Sequence, residues 1–171
     1  MTKLRVTTEL GQFKILTESQ AAPATSAYFL TLARTGALDN SSIFRVVSPE
    51  NGTHNVTHPI SVVQGGLQQH DPQSVPPVAH EATDQTGLRH KQWTVSTARN
   101  NPGETYGSFF VCLRDEPMLD QGGMRHPDGH GFAAFGRVDS GQEVVQMLYN
   151  RREAQEILNL PIAITSVNIE E

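Results

Sequence analysis

Short apolar segments separated by polar connections recur along most of the chain. Residues 4–10 and 13–17 alternate loosely between apolar and polar side chains on either side of Gly11, which predicts an antiparallel hairpin. Six further apolar segments have the length of strands, namely 43–47, 60–64, 93–98, 109–113, 132–138 and 162–169. The pattern therefore predicts eight strands.

Two stretches have helical rather than strand periodicity. Pro23 and Gly36 are typical helix start and stop signals, and they frame a predicted helix over residues 24–34. A second helix is predicted over residues 142–152, because Val144, Val145 and Leu148 fall at helical spacing.

Strands do not alternate regularly with helices, so a parallel βαβ sheet is not expected. Eight strands and two helices favour a mainly β fold, a closed eight-stranded antiparallel barrel capped by two α-helices. The 171 residues suit a single domain over 1–171. The connections 48–59, 67–92 and 114–131 are longer than usual, which indicates function or irregular packed structure there.

Composition narrows the class of protein. The formal net charge is -5 and the chain has only three Lys, so we predict no nucleic-acid partner. The apolar runs are shorter than the roughly 20 residues that a membrane span needs, and the N-terminus lacks the apolar core of a signal peptide. We expect a monomer in the cytoplasm, without a membrane partner. The lone Cys112 excludes an internal disulfide and is interpreted as a core residue.

The seven histidines raise the possibility of a metal-dependent enzyme. They are His54, His58, His70, His80, His90, His126 and His130. They form no His-Glu-x-x-His pattern and have no Cys partners at metal-ligand spacing. We interpret them as solvated loop residues and expect no metal, while the metal enzyme stays a distant alternative.

Arg45 stands alone as a charged residue in an otherwise apolar predicted strand. Such a guanidinium must face a groove or a carboxylate, and a simple ion pair at a sheet edge is the alternative. Further distinctive segments follow along the chain: Gln64-Gly65-Gly66, Ser96-Thr97-Ala98-Arg99, Phe109-Phe110 and Phe135-Gly136-Arg137-Val138.

The order and spacing of these segments resemble the cyclophilin family of peptidyl-prolyl cis-trans isomerases. The resemblance extends from about Val6 to Ile169, nearly the whole chain. It implies the barrel fold, rotation about X-Pro peptide bonds as the reaction, and Pro-containing peptides or proteins as partners. It implies no cofactor and no metal.

The resemblance also assigns roles to individual residues. Arg45 and Gln64 are implied to be catalytic, Arg45 as the donor to the twisted amide and Gln64 as the residue that orients it. Eight positions are implied to bind substrate: Val62, Ala98, Arg99, Ser108, Phe110, Met118, Leu119 and Phe132. Arg99 is implied to act through its main chain.

Several positions depart from the family pattern. Ser61 stands where a pocket Phe is usual, Ser108 replaces a longer polar side chain, and Met118 stands where the best-known members have Trp. These changes keep a second reading open, a catalytically weak cyclophilin-like module that binds Pro-containing segments. Because Met lacks the indole donor, Met118 also predicts weak binding of the inhibitor cyclosporin.

Overall fold

Eight antiparallel strands close into a barrel in the computed structural model, which describes residues 1–53, 57–68 and 78–171. In order around the barrel the strands are β1, β2, β7, β5, β6, β4, β3 and β8. Their bounds are β1 Lys3–Thr8, β2 Gly11–Thr17, β3 Ser41–Val47, β4 Val62–Gly66, β5 Thr94–Arg99, β6 Thr105–Cys112, β7 Ala134–Ser140 and β8 Ile157–Glu170. The predicted fold class is confirmed.

Two longer helices lie where the sequence predicts them, as α1 (Pro23–Arg34) and α3 (Gln142–Asn150). Helix α1 packs on β7 and β8, and α3 packs on β2 and β4. A one-turn helix, α2 (Thr83–Thr86), was not predicted, because its four residues are polar and carry no periodic signal. Among the described residues, no helix is long and apolar enough to cross a membrane.

Two strands begin four or more residues earlier than predicted. β6 begins at Thr105, before the apolar run, and Gly107 supplies a positive φ of 78° within it. β8 begins at Ile157 and continues through Pro161, although proline usually interrupts a strand. Both extensions are held by pairing with a neighbouring strand, a tertiary effect that local pattern does not show.

The alternation of side chains along the strands separates an inner core from an outer apolar cluster. Val63 on β4 and Val111 on β6 point into the barrel, where Phe29 from α1 stacks on Phe135 at 4.4 Å between ring centroids. Their neighbours Val62 and Phe110 point outward. The barrel interior is therefore filled, and any binding site must lie outside it.

Cys112 belongs to the outer cluster and is fully buried, which confirms its interpretation as a core residue. Burial raises the pKa of its thiol well above the ordinary value, and the nearby carboxylate of Glu116 raises it further. The thiol is therefore not an activated nucleophile.

Candidate active site

Arg45 and Gln64 face each other across neighbouring strands. They are paired in the register of β3 and β4, and Arg45 Nη1 donates to Gln64 Oε1 at 3.0 Å. At the other end of the amide, Gln64 Nε2 donates to Tyr106 Oη at 3.2 Å and to Ser108 Oγ at 2.9 Å. The guanidinium fixes which end of the amide is the oxygen, so the orientation of Gln64 follows from its neighbours.

Beside this pair lies a groove of about 820 Å³ on the outer face of the barrel. Eight of the ten positions predicted from the sequence line it: Arg45, Val62, Gln64, Ala98, Arg99, Phe110, Leu119 and Phe132. Strands β3 to β6 contribute six of these residues, and the segment between β6 and β7 contributes the other two.

The other two predicted positions do not line the groove in the described part of the chain. Ser108 is fully buried beneath Gln64, and its hydroxyl lies 3.3 Å from Gly65 O as well. Met118 lies beside Leu119 with about a third of its surface exposed, and its carbonyl accepts a hydrogen bond from Arg125 N. The structure therefore places Ser108 behind the amide that it holds, and Met118 outside the lining.

The apolar part of the groove is an aromatic corner. The rings of Phe110 and Phe132 meet edge to face, with centroids 5.6 Å apart, and Leu119 is almost fully buried beside them. Ser61, where the family pattern has an aromatic residue, is buried and accepts a hydrogen bond from Tyr149 Oη at 3.3 Å. Phe132 thus supplies an aromatic wall that position 61 does not.

The side chain of Arg99 anchors the loop 121–131 against the strands. Its Nε and Nη2 donate to Gly131 O at 2.9 and 2.6 Å, and Nη2 donates to Asp128 Oδ1 at 3.0 Å. Its Cζ lies 4.8 Å from the centroid of the Phe132 ring. The Arg99 side chain is 1% exposed. A structural role of this side chain therefore accompanies the predicted main-chain role.

Sequence reasoning missed six groove residues: Thr53, Ile60, Tyr106, Arg125, His126 and Pro127. Three of them come from the Gly-rich segment 121–131, where neither strand nor helix periodicity fixes a direction for the side chains. Arg125 donates from Nη1 to His58 O at 3.1 Å. A guanidinium has five N–H donors, but no local pattern in this segment shows which acceptors they reach.

A buried carboxylate, Glu156, was also missed. Its Oε2 lies 3.3 Å from Arg45 Nη2, and its Oε1 lies 3.9 Å from Arg125 Nη2. Burial lowers the pKa of the Arg125 guanidinium from its ordinary value, and the charge of Arg45 lowers it further. Two guanidinium groups and one carboxylate thus meet at this edge of the groove.

The interpretation of the histidines as solvated loop residues is wrong for His90. This residue is almost fully buried, and its ring is hydrogen-bonded to Asp120 Oδ1 at 2.7 Å and to Ser96 Oγ at 2.9 Å. Burial opposes ionisation of Asp120, but the hydrogen bonds from His90 outweigh it and lower the pKa of Asp120. Ser96 has no exposed surface, so a substrate cannot reach this Ser–His–Asp chain.

The remaining histidines give no metal centre in the described part of the chain. His54 and His70 lie outside the described residues. Across 1–53, 57–68 and 78–171, no group of three or more His, Cys, Asp or Glu residues could hold a metal ion. His126 lines the groove and lies 3.2 Å from an Asp128 carboxylate oxygen.

Known structures share this architecture. A cyclophilin type peptidyl-prolyl cis-trans isomerase of Cryptosporidium parvum, crystallised in the presence of the dipeptide Ala-Pro, superposes with a TM-score of 0.71. The comparison covers 99% of this chain and 99% of that chain at 17% identity. At this identity the likeness shows the fold.

Sequence comparisons add the family. A peptidyl-prolyl cis-trans isomerase of Streptomyces antibioticus is 30% identical over 178 residues, covering 99% of both chains. Peptidyl-prolyl cis-trans isomerase A of Dickeya dadantii is 29% identical over 177 residues, covering 98% of this chain and 84% of the relative. The family described as cyclophilin type peptidyl-prolyl cis-trans isomerase/CLD matches residues 3–169. The chain therefore belongs to the cyclophilin-type peptidyl-prolyl cis-trans isomerases.

Proposed function

We propose that this isomerase binds an extended Pro-containing segment in the groove and that Arg45 stabilises the twisted prolyl amide. The observation that carries the proposal is the Arg45–Gln64 hydrogen bond at the rim of an aromatic corner. A relative of the same fold was crystallised in the presence of Ala-Pro, which supports a Pro-containing ligand for this groove.

The chemistry requires little beyond a shaped pocket and one donor. Rotation about a peptide bond breaks the resonance of the amide, and the barrier is about 18–20 kcal/mol. In the twisted state the prolyl nitrogen regains a lone pair and accepts a hydrogen bond, which the planar ground state does not. A guanidinium directed at this nitrogen therefore binds the transition state more tightly than the substrate.

The surroundings of Arg45 suit this role. Gln64 and Glu156 accept from its two terminal nitrogens, so its plane is fixed while other N–H groups stay available to a ligand. Phe110, Phe132 and Leu119 offer an apolar corner to the pyrrolidine ring. Arg45 is partly exposed, with 26% of its side chain accessible.

The remaining predicted positions take more modest roles in the proposal. Val62 adds to the apolar wall, and Ala98 and Arg99 pair through their main chains with the extended peptide. Ser108 acts indirectly, by holding the Gln64 amide. Met118 meets only ligands that extend past Leu119.

A protease-coupled assay on a short X-Pro peptide tests the proposal. The protease cleaves only the trans isomer, so the isomerase accelerates the slow phase of cleavage. We expect a rate proportional to enzyme concentration. The alternative, a weak binding module, is favoured by the small side chain of Ser61; it would bind the peptide without accelerating the slow phase. A cytoplasmic location and a monomeric state stay predictions.

A further inference from the structure

Main-chain pairing holds Glu156 beside Arg45. Glu156 immediately precedes β8, and its carbonyl accepts a hydrogen bond from Val46 N at 2.9 Å. The next residue, Ile157, is the partner of Arg45 in the register of β3 and β8. The main chain therefore fixes the base of the Glu156 side chain beside Arg45.

Arg45 is gripped from both neighbouring strands. Gln64 on β4 accepts from Nη1 at 3.0 Å, and Glu156 at the start of β8 accepts from Nη2 at 3.3 Å. Two acceptors on different terminal nitrogens fix the rotation of the planar guanidinium, which one acceptor alone does not. The orientation of the donors toward the groove thus depends on both contacts.

The charge of the cluster explains how a carboxylate can hold this group without cancelling it. Glu156 is only 5% exposed, and an unpaired carboxylate at such a site is strongly unfavourable. Arg45 and Arg125 both flank it, so the three groups together carry a net charge of about +1. The charge of Glu156 is therefore shared between Arg45 and Arg125 and is not taken up by Arg45 alone.

We propose that Glu156 is a positioning residue for the isomerisation, which fixes the guanidinium plane of Arg45 for the twisted amide. This inference rests on the proposed role of Arg45. Because the amide nitrogen accepts the hydrogen bond only when twisted, a misoriented Arg45 loses stabilisation of the transition state and little of the ground state.

The test compares Glu156→Gln with the wild type in the isomerisation assay. The amide keeps the size of the side chain but loses the charge that orients Arg45. We expect kcat to fall about tenfold while KM changes less than about twofold, because a charge-assisted hydrogen bond is replaced by a weaker neutral one. An unchanged kcat would overturn the inference.

Glu153→Gln is the matched control, because Glu153 belongs to the same connection without contacting Arg45. Its Oε1 and Oε2 accept from Asn159 N and Leu160 N at 2.8 and 3.1 Å, so it ties the connection to the first residues of β8. We expect this variant to lower the melting temperature and leave kcat within about twofold of wild type. An equal loss of kcat in both variants would mean that Glu156 only orders the connection, and would overturn the inference.

A second readout follows Arg45 itself. Nitrogen-resolved NMR of the guanidinium groups reports rotation about the Nε–Cζ bond, which we expect to be slow for Arg45 in the wild type and faster in Glu156→Gln. Should Glu156→Gln fail to fold, Glu156→Asp retracts the carboxylate by one methylene and should show the same changes in kcat and rotation. Unchanged rotation in a folded variant would contradict the positioning role.

The two proposals fail in different ways. If Arg45→Ala keeps wild-type kcat, the assigned role of Arg45 is wrong and the inference about Glu156 falls with it. If Arg45→Ala is impaired and Glu156→Gln is not, only the inference about Glu156 is wrong.

Discussion

Seven residues of the groove lie on strands of the barrel, here called the strand half, and five lie in the connection between β6 and β7, here called the loop half. On the strand half, Arg45, Gln64 and Phe110 are positioned by a continuous ladder of main-chain pairs. On the loop half, Phe132 and its neighbours depend on side chains that reach main-chain carbonyls, above all Arg99 to Gly131. The strand half is therefore fixed by the fold, and the loop half by a few specific contacts.

This difference suggests a division of labour. The group proposed to act on the twisted amide lies on the strand half, where small displacements are resisted by neighbouring strands on both sides. Much of the surface that meets the ring and its flanking residues lies on the loop half. We expect changes in the strand half to affect mainly kcat and changes in the loop half to affect mainly KM.

Arg45→Lys should have the largest effect. One ammonium cannot keep contacts with Gln64 and Glu156 and also present a donor to the amide, since it lacks the planar fork. We expect kcat to fall about 100-fold with KM nearly unchanged, by analogy with the loss of a single oxyanion donor. Steady-state kinetics on an X-Pro peptide checks this, and retention of more than half of the wild-type kcat would contradict it.

Arg99→Met should release the loop half. The change removes the donors to Gly131 O and Asp128 but keeps an apolar side chain over the Phe132 ring. We expect KM to rise about tenfold with kcat within about threefold, and the free energy of unfolding to fall by about 2 kcal/mol, because a buried acceptor loses its partner. Peptide titrations and urea denaturation measure the two effects.

Arg137→Met is the control for the Arg99 variant. Arg137 is 58% exposed and lies 3.6 Å from Glu18 on the surface, so its loss should change neither KM nor stability measurably. A rise in KM equal to that of Arg99→Met would show that the loop is not held by Arg99 specifically.

Met118→Trp tests ligand binding at the outer rim of the loop half. The wild type is expected to bind cyclosporin weakly, and the indole would add a donor that the thioether lacks. One restored hydrogen bond is worth about 1–1.5 kcal/mol, or about tenfold in affinity. Titration calorimetry should show this gain, while kcat for a short X-Pro peptide stays within twofold of wild type. No gain would mean that position 118 does not meet the inhibitor.

Acid should weaken the contacts that hold the loop half. Partial burial opposes ionisation of Asp128, but hydrogen bonds from Arg99 and His130 N outweigh it and lower the pKa of Asp128 from its ordinary value. A lowered pKa in the folded state means that its stabilising contribution is complete above the unfolded pKa and is lost as the pH falls through the folded value. The melting temperature should therefore decrease as the pH is lowered below about 5, and Asp128→Asn should flatten that decline.

The pKa of Glu116 is shifted in the opposite direction, so this residue serves as the control. Burial raises the pKa of Glu116 from its ordinary value, so its protonation favours the folded state as the pH falls. Glu116→Gln should therefore make the acid decline steeper. A flatter decline in this variant, or an unchanged one in Asp128→Asn, would contradict the assignment.

The strand half was predictable from the sequence because its residues have a periodic signal. Apolar alternation and short apolar segments predicted all eight strands, and Arg45 was singled out as the charged residue of an apolar strand. Of the two residues that hold Arg45, only Gln64 was predicted. Gln64 came from the family resemblance, whereas Glu156 depends on β3 lying next to β8, a long-range pairing that no local pattern reveals.

The loop half was less predictable for the same physical reason. Residues 121–131 have no regular period, so the direction of the Arg125 side chain is set by tertiary contacts. The prediction for His90 was wrong because a histidine in a long connection is usually solvated. Its burial becomes visible only when Asp120 and Ser96 are seen to satisfy both ring nitrogens.

The most direct measurement compares the wild type with Arg45→Ala in a single NMR experiment on an X-Pro peptide. Exchange between the cis and trans signals reports the catalysed rate, and the dependence of the shifts on enzyme concentration reports peptide affinity in the same samples. Stabilisation of the twisted amide by Arg45 predicts that the variant binds the peptide within about threefold of wild type but loses at least about 100-fold of the exchange rate. Equal exchange rates in both proteins would contradict it.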